Sequence, residues 1–413
     1  MPSNYIFACI LLLGTAGVAL AQVPTLPMGE PPQQVDKADM HRQVQEYLKE
    51  HQRRLRQSAA VAPHDREAAA LRTLNESKKS ERAERRHLVV VLGGDRFNAS
   101  SWMTDPEHAT WDLYLIYYGS NPAKSCPLCT KVFAGQGAKW RLAWRFTLHS
   151  DWQLIRKAYK TISFIDDDLE VAGGEVLNTA LAVFEAFDLL IAQPSVCNEP
   201  GSWTPYRALF TVRSMVLRYV NMVEIMAPIF EMELFDRMVR PTLFDAYFGW
   251  GLDWLWPALL SYPPDKVAVI DEVCVYHPKT DRKNSALYKL EAPMTAREEA
   301  NLHITEWGWS PEGRAVRGFS SYSCDVISEV ARPSPIAAPN LSNFLPGNNT
   351  MPSIVAGGIK HWLTRKEPFR LSSLNQLGLL VRTIPVFIVG AGIASVMLYR
   401  KKRRSVKRKI TLG

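Results

Sequence analysis

Apolar positions along this chain fall into short continuous runs separated by polar, helix-periodic stretches. His87-Leu-Val-Val-Val-Leu-Gly-Gly94 is an unbroken apolar run closed by glycines, the pattern of a strand buried on both faces. Trp111-Asp-Leu-Tyr-Leu-Ile-Tyr-Tyr-Gly119 is a second such run, and Asp188-Leu-Leu-Ile-Ala-Gln193 and Lys266–His277 are later ones. Between them, Lys139–Lys160 and Glu175–Phe187 carry apolar residues at helical spacing, and Phe230–Val239 reads as a helix stopped near Pro241. Strands alternating with helices predict an α/β domain around a mostly parallel central sheet. After His277 the pattern weakens, although Thr295-x-x-Glu298 is a capping box that opens a short helix.

The ends of the chain read differently. Tyr5–Ala21 is apolar and closes on Val18-Ala-Leu-Ala21, so residues 1–21 are expected to be a signal peptide, with an uncleaved anchor as the alternative. Residues 22–86 form a charged stem with a weak helical period (Met40, Val44, Tyr47, Leu48) too narrow to fold as a domain. The α/β domain is expected over 87–331, a Pro-, Ser- and Asn-rich linker over 332–376, and a transmembrane helix over 377–399. A basic tail follows over 400–413. The net charge is +8, and Arg400, Lys401, Lys402, Arg403, Arg404, Lys407, Arg408 and Lys409 account for all of it. The body is therefore neutral, which argues against nucleic acid as a partner. The positive-inside rule puts the tail in the cytosol and the body in the lumen or outside. Sequons at Asn75, Asn98, Asn340 and Asn348 agree. Of the cysteines, Cys126, Cys129, Cys197, Cys274 and Cys324 follow the signal peptide; disulfides are expected, with the pairing left open.

The candidate chemistry gathers around Thr161-Ile-Ser-Phe-Ile-Asp-Asp-Asp-Leu-Glu170, a short strand that stops at three carboxylates. Strands ending this way commonly deliver side chains to a site at the carboxyl edge of a sheet. Carboxylates held together repel unless a cation lies between them, and a hard divalent ion takes such oxygens together with substrate phosphates. A surface acidic turn is the plain alternative. Three pieces follow in order: Val223-Glu-Ile-Met-Ala-Pro-Ile-Phe230 with Glu224; Phe248-Gly-Trp-Gly-Leu-Asp-Trp254, where two glycines bracket an indole; and Cys274-Val-Tyr-His277, a histidine at a strand end. Alone, Glu224 could be a satisfied polar group, Trp250 core and His277 structural.

These motifs, with Lys139-Trp140 and Val269-Ile-Asp271, resemble the domain-of-unknown-function 707 family, glycosyltransferase-like proteins of the GT-A fold. Gly249-Trp-Gly-Leu-Asp253 is also similar to the Trp-Gly-Trp-Gly loop of lumenal β-galactosyltransferases, with Leu252-Asp253 where those carry Glu-Asp. The resemblance implies a nucleotide-sugar transferase dependent on Mn²⁺ or Mg²⁺, with a UDP-sugar the preferred donor and a glycan or glycoconjugate as acceptor. It implies Asp166, Asp168 and His277 as metal ligands and Asp253 as the base. Asp167, Lys139, Glu224, Gly249, Trp250 and Gly251 would bind donor or acceptor. The expected setting is the lumen of the secretory pathway, Golgi or ER, or the cell surface, on a single membrane pass. A non-catalytic, membrane-tethered glycan-binding or adhesion protein on the same scaffold is the alternative.

Overall fold

The computed structural model describes residues 24–26, 37–58, 63–77, 84–121, 126–279, 293–307 and 323–332. The expected signal peptide, transmembrane helix, basic tail and nearly all of the linker lie outside the described residues. No described helix is long and apolar enough to cross a membrane.

The structure is a mixed α/β domain around one central sheet. Its strands are β1 (His87–Gly93), β2 (Trp111–Tyr117), β3 (Lys131–Ala134), β4 (Thr161–Asp166), β5 (Ile191–Val196), β6 (Met215–Val220), β7 (Ile229–Glu231), β8 (Val267–Val275) and β9 (Val326–Ala331). Their spatial order is β3-β2-β1-β4-β7-β5-β8-β6-β9. The pairs β1–β2, β1–β4, β2–β3 and β5–β8 are parallel, and β7 and β6 run against their neighbours. The expected parallel sheet is thus interrupted twice. The two reversed strands, β7 and β6, run in the same direction as each other and are separated in the sheet by β5 and β8.

The helices are α1 (Lys37–Ser58), α2 (Pro63–Ser77), α3 (Ala99–Trp102), α4 (Lys139–Thr147), α5 (Trp152–Ala158), α6 (Gly174–Ala186), α7 (Met232–Leu234), α8 (Arg240–Thr242), α9 (Leu252–Leu259) and α10 (Ala296–Glu306). The helix expected over Phe230–Val239 is instead strand β7 followed by a helical run whose middle, Phe235–Val239, is π-wound. Pro241 does not stop that run before it: it lies in the last turn, just after the π-wound segment, and the helix closes at Thr242. The capping box at Thr295 and Glu298 is formed in both directions. The charged stem contributes two helices that dock on the domain: Val44, Tyr47, Leu48, Ala70 and Leu74 belong to its buried core. Arg237 lies over the Tyr47 ring, 5.0 Å from its centroid.

Four strands, β3, β6, β7 and β9, were not apparent from the apolar pattern, and β6 shows why. Arg218 interrupts its apolar run, yet it is buried and paired with buried Asp271 through two contacts of 2.7 and 2.9 Å. Disulfides join Cys126 to Cys129 and Cys197 to Cys274. The second ties the end of β5 to the end of β8, beside the expected site.

Candidate active site at the carboxyl edge of the sheet

Strands β1, β2, β4 and β8 end on one edge, and the turn before β7 returns to it. Past β4, Glu170 and Tyr276 exchange backbone hydrogen bonds of 2.8 and 3.0 Å. That bridge carries the acidic turn across to the end of β8. As a result Asp168 Oδ2 lies 3.9 Å from His277 Nε2. His277 Nδ1 is 2.9 Å from the Trp203 carbonyl oxygen, which can only accept, so the proton of the neutral ring sits on Nδ1. Nε2 therefore presents a lone pair toward Asp168. Fixing the far nitrogen in this way is how a metal-binding imidazole is usually oriented.

Asp166 departs from the expected ligand set. Its Oδ1 meets Lys139 Nζ at 2.7 Å. The same ammonium donates to the carbonyl oxygens of Ile225 (2.6 Å) and Met226 (3.2 Å). Lys139 opens α4 and points into the acidic turn, neutralising the carboxylate expected to grip a cation. Burial, and the neighbouring Asp168 charge, push the Asp166 carboxyl up to about 7 despite that ammonium. Among the described residues no three His, Cys, Asp or Glu side chains converge as one ligand set. The pair Asp168 and His277 does fit a hard cation that takes its remaining ligands from phosphates and water.

Asp167 also has a different role from the one expected. Its carboxylate accepts from Gly94 N (2.8 Å) and from the Tyr118 hydroxyl (3.0 and 2.9 Å). It faces back into the ends of β1 and β2 and locks the acidic turn to them. The triplet therefore divides its labour: Asp166 holds Lys139, Asp167 holds the sheet, and exposed Asp168 faces His277.

Glu224 and Asp253 lie within electrostatic reach of one another, and Glu224 also within reach of Lys139, His277 and Asp168. Glu224 accepts from Met226 N at 2.8 Å, and its own N–H donates to Gln193 Oε1 at 2.7 Å. Burial raises its proton affinity, while Lys139 and His277 pull it down. Asp253 is buried in the first turn of α9, where burial and then the Glu224 charge push it well above the usual carboxylate range. With Glu224 charged nearby, Asp253 is held toward its neutral form.

The Gly-Trp-Gly loop enters α9 through two left-handed glycines, Gly249 at φ 83° and Gly251 at φ 93°. A Cβ on Gly249 would lie 2.2 Å from Trp140 Cδ1, so only glycine lets the loop rest on that buried indole. Trp250 is not core: it is 44% exposed. An indole left in solvent on this loop suits stacking against a sugar face.

Several supporting residues gave no sequence signal: Gln193, Tyr118, the Trp203 carbonyl and Glu299. Each acts through hydrogen bonds to partners distant in sequence, three of them for Glu299, which no periodicity encodes. A cavity of about 1450 Å³ lies at the other, amino end of the strands, lined by Arg86, Arg156, Lys160 and Glu185 among others. It holds none of the expected site residues; there Arg86 and Lys160 pair with Glu185, and Arg156 with Asp236.

Neither a family model nor a curated protein sequence matches the chain. Solved structures with some likeness include A197 from STIV, at TM-score 0.28 and 14% identity over 47% of this chain and 86% of that one. A mannosyltransferase, PcManGT from Pyrobaculum calidifontis in complex with GDP-Man and Mn²⁺, reaches TM-score 0.30 and 13% identity over 62% and 74%. Mouse xyloside xylosyltransferase 1, in apo form, reaches 0.25 and 11% over 45% and 84%. All three superpose loosely, so the reading of the site rests on this chain's own residues.

Proposed function

We propose that this chain is a GT-A-like, metal-dependent glycosyltransferase. It would move a sugar from a nucleotide-diphosphate donor, a UDP-sugar by preference, to a hydroxyl of a glycan or glycoconjugate. The approach of Asp168 to His277, with the imidazole held in a metal-binding tautomer, carries this reading. Those two side chains would hold Mn²⁺ or Mg²⁺, which when bound neutralises charge on a leaving diphosphate. Lys139 adds a fixed positive charge along the same edge. Trp250 offers its exposed face to the acceptor sugar. Burial and the Glu224 charge hold Asp253 toward its neutral form, so in place of the expected Asp253 it is Glu224 that takes the acceptor's hydroxyl proton as the acceptor oxygen bonds to the anomeric carbon. The diphosphate leaves with the electrons of the broken bond, and attack from the opposite face inverts the centre.

The two disulfides support an oxidising compartment, consistent with a lumenal or extracellular body. One observation favours the non-catalytic, glycan-binding alternative: Lys139 already neutralises Asp166. A panel of nucleotide sugars with Mn²⁺, assayed for hydrolysis and transfer, separates the two. Turnover that disappears in Asp168→Asn and His277→Ala supports the transferase. Glycan binding without metal or nucleotide, and no turnover, would leave only the tethered binder.

A further inference from the structure

The loop that carries Trp250 is held by a side chain from the part of the sequence where apolar patterning fades. Tyr247, Phe248 and Gly249 donate three successive backbone N–H groups to the single carboxylate of Glu299, at 3.0, 2.8 and 2.8 Å. Glu299 is fully buried on α10. A carboxylate taken out of water in this way is tolerated only when its lone pairs are met, and three converging N–H dipoles meet them. The relation is reciprocal: consecutive N–H groups aimed at one point form a concave anion seat, so the loop is wrapped around the carboxylate. Buried His303, one helical turn on, places Nε2 3.6 Å from Glu299 Oε1. The helix also touches the loop directly: a Cβ on Gly251 would lie 3.1 Å from Ala300 Cα. At the far end of α10, Trp307 stacks on His41 of α1, ring centroids 4.1 Å apart.

We propose that Glu299 is the positioning residue of the acceptor loop. By fixing the backbone of 247–249 it sets both where the Trp250 indole stands and where Asp253 begins α9, relative to the Asp168–His277 pair. This deepens the transferase reading and rests on it for its kinetic consequences, but the contact itself does not. A loop displaced by about 1 Å can cost roughly 100-fold in a reaction that needs two substrates aligned. Loosening Glu299 should therefore spare the donor half of the site and damage the acceptor half.

The test has two arms. In the unaltered protein, the amides of Tyr247, Phe248 and Gly249 should resist hydrogen exchange roughly 100-fold or more relative to an open loop. Exchange at open-loop rates would overturn the proposal without any variant. In Glu299→Gln, which keeps the size but turns one acceptor oxygen into a donor, those amides should lose protection. The acceptor KM should rise roughly 10- to 100-fold, while donor hydrolysis and donor KM stay within about twofold. Glu299→Asp, one methylene shorter, serves if the glutamine form does not fold, and it should show the same split in milder form. An unchanged acceptor KM, or equal loss of both half-reactions, would count against a positioning role. Because exchange is read without turnover, failure of the loop contact and failure of the transferase reading are separable.

Discussion

The Lys139 ammonium sits 2.7 Å from Asp166 Oδ1 and, with the same three hydrogens, reaches the carbonyl oxygens of Ile225 and Met226. It crosslinks the start of α4, the end of β4 and the turn before β7. The charge that holds the edge together is therefore built in, and the acidic triplet has only one carboxylate, Asp168, left to face a ligand.

Asp166 should make cation binding depend on pH near neutrality. Burial and Asp168 raise its carboxyl to about 7 from an ordinary 3.8. Below that value the group is neutral and adds nothing to the negative potential that attracts a cation; above it, the added charge favours one. The same shift works against the fold, because stability present below about pH 4 is lost as pH rises through about 7. Mn²⁺ affinity measured by calorimetry should therefore increase between about pH 6 and about pH 8, and Asp166→Asn should flatten that dependence. A flat profile in the unaltered protein would refute the assignment.

Asp168 and Asp167 should separate function from stability. Asp168→Asn, at an exposed position, should leave the melting temperature almost unchanged and weaken Mn²⁺ binding roughly 10- to 100-fold or more. Asp167→Ala leaves Gly94 N–H and the Tyr118 hydroxyl without their acceptor, which should cost about 1–3 kcal/mol in denaturant unfolding. Equal stability losses in the two variants would contradict the division of the triplet.

Trp250→Ala should raise acceptor KM about 2- to 10-fold, the range of about 0.5–1.5 kcal/mol that an aromatic contact adds. Thermal stability should hold, since the indole is 44% exposed and contributes little to the core. A drop of several degrees with unchanged KM would return Trp250 to a packing role.

Asp271→Ala should be among the most damaging substitutions away from the cleft. It strands the Arg218 guanidinium inside the sheet between β6 and β8, and breaking a buried pair from one side costs about 3–5 kcal/mol. Urea unfolding monitored by tryptophan fluorescence measures it. Arg218→Met with Asp271→Leu, removing both charges, should recover most of the loss.

The sequence by itself determined the elements whose signal is local. His87–Gly93 and Thr161–Asp166 are strands because continuous apolar runs can only be buried on both faces, and the Thr295 capping box opens a helix because its partners lie three residues apart. It also placed the acidic turn, Glu224, the Gly-Trp-Gly loop and His277 in an order that suggested one edge. Tertiary structure decided which of these groups face one another. Strand β6 was hidden because a guanidinium looks exposed until Asp271 is found across the sheet, and Glu299 was hidden because its three partners lie some fifty positions away. The roles of the three adjacent aspartates were decided in the same way. Successive side chains near a strand end point in different directions, so identical neighbours met an ammonium, a pair of strand ends and an imidazole. A carboxylate's chemistry follows from the charge and the solvent around it, and both arrive from elsewhere in the chain.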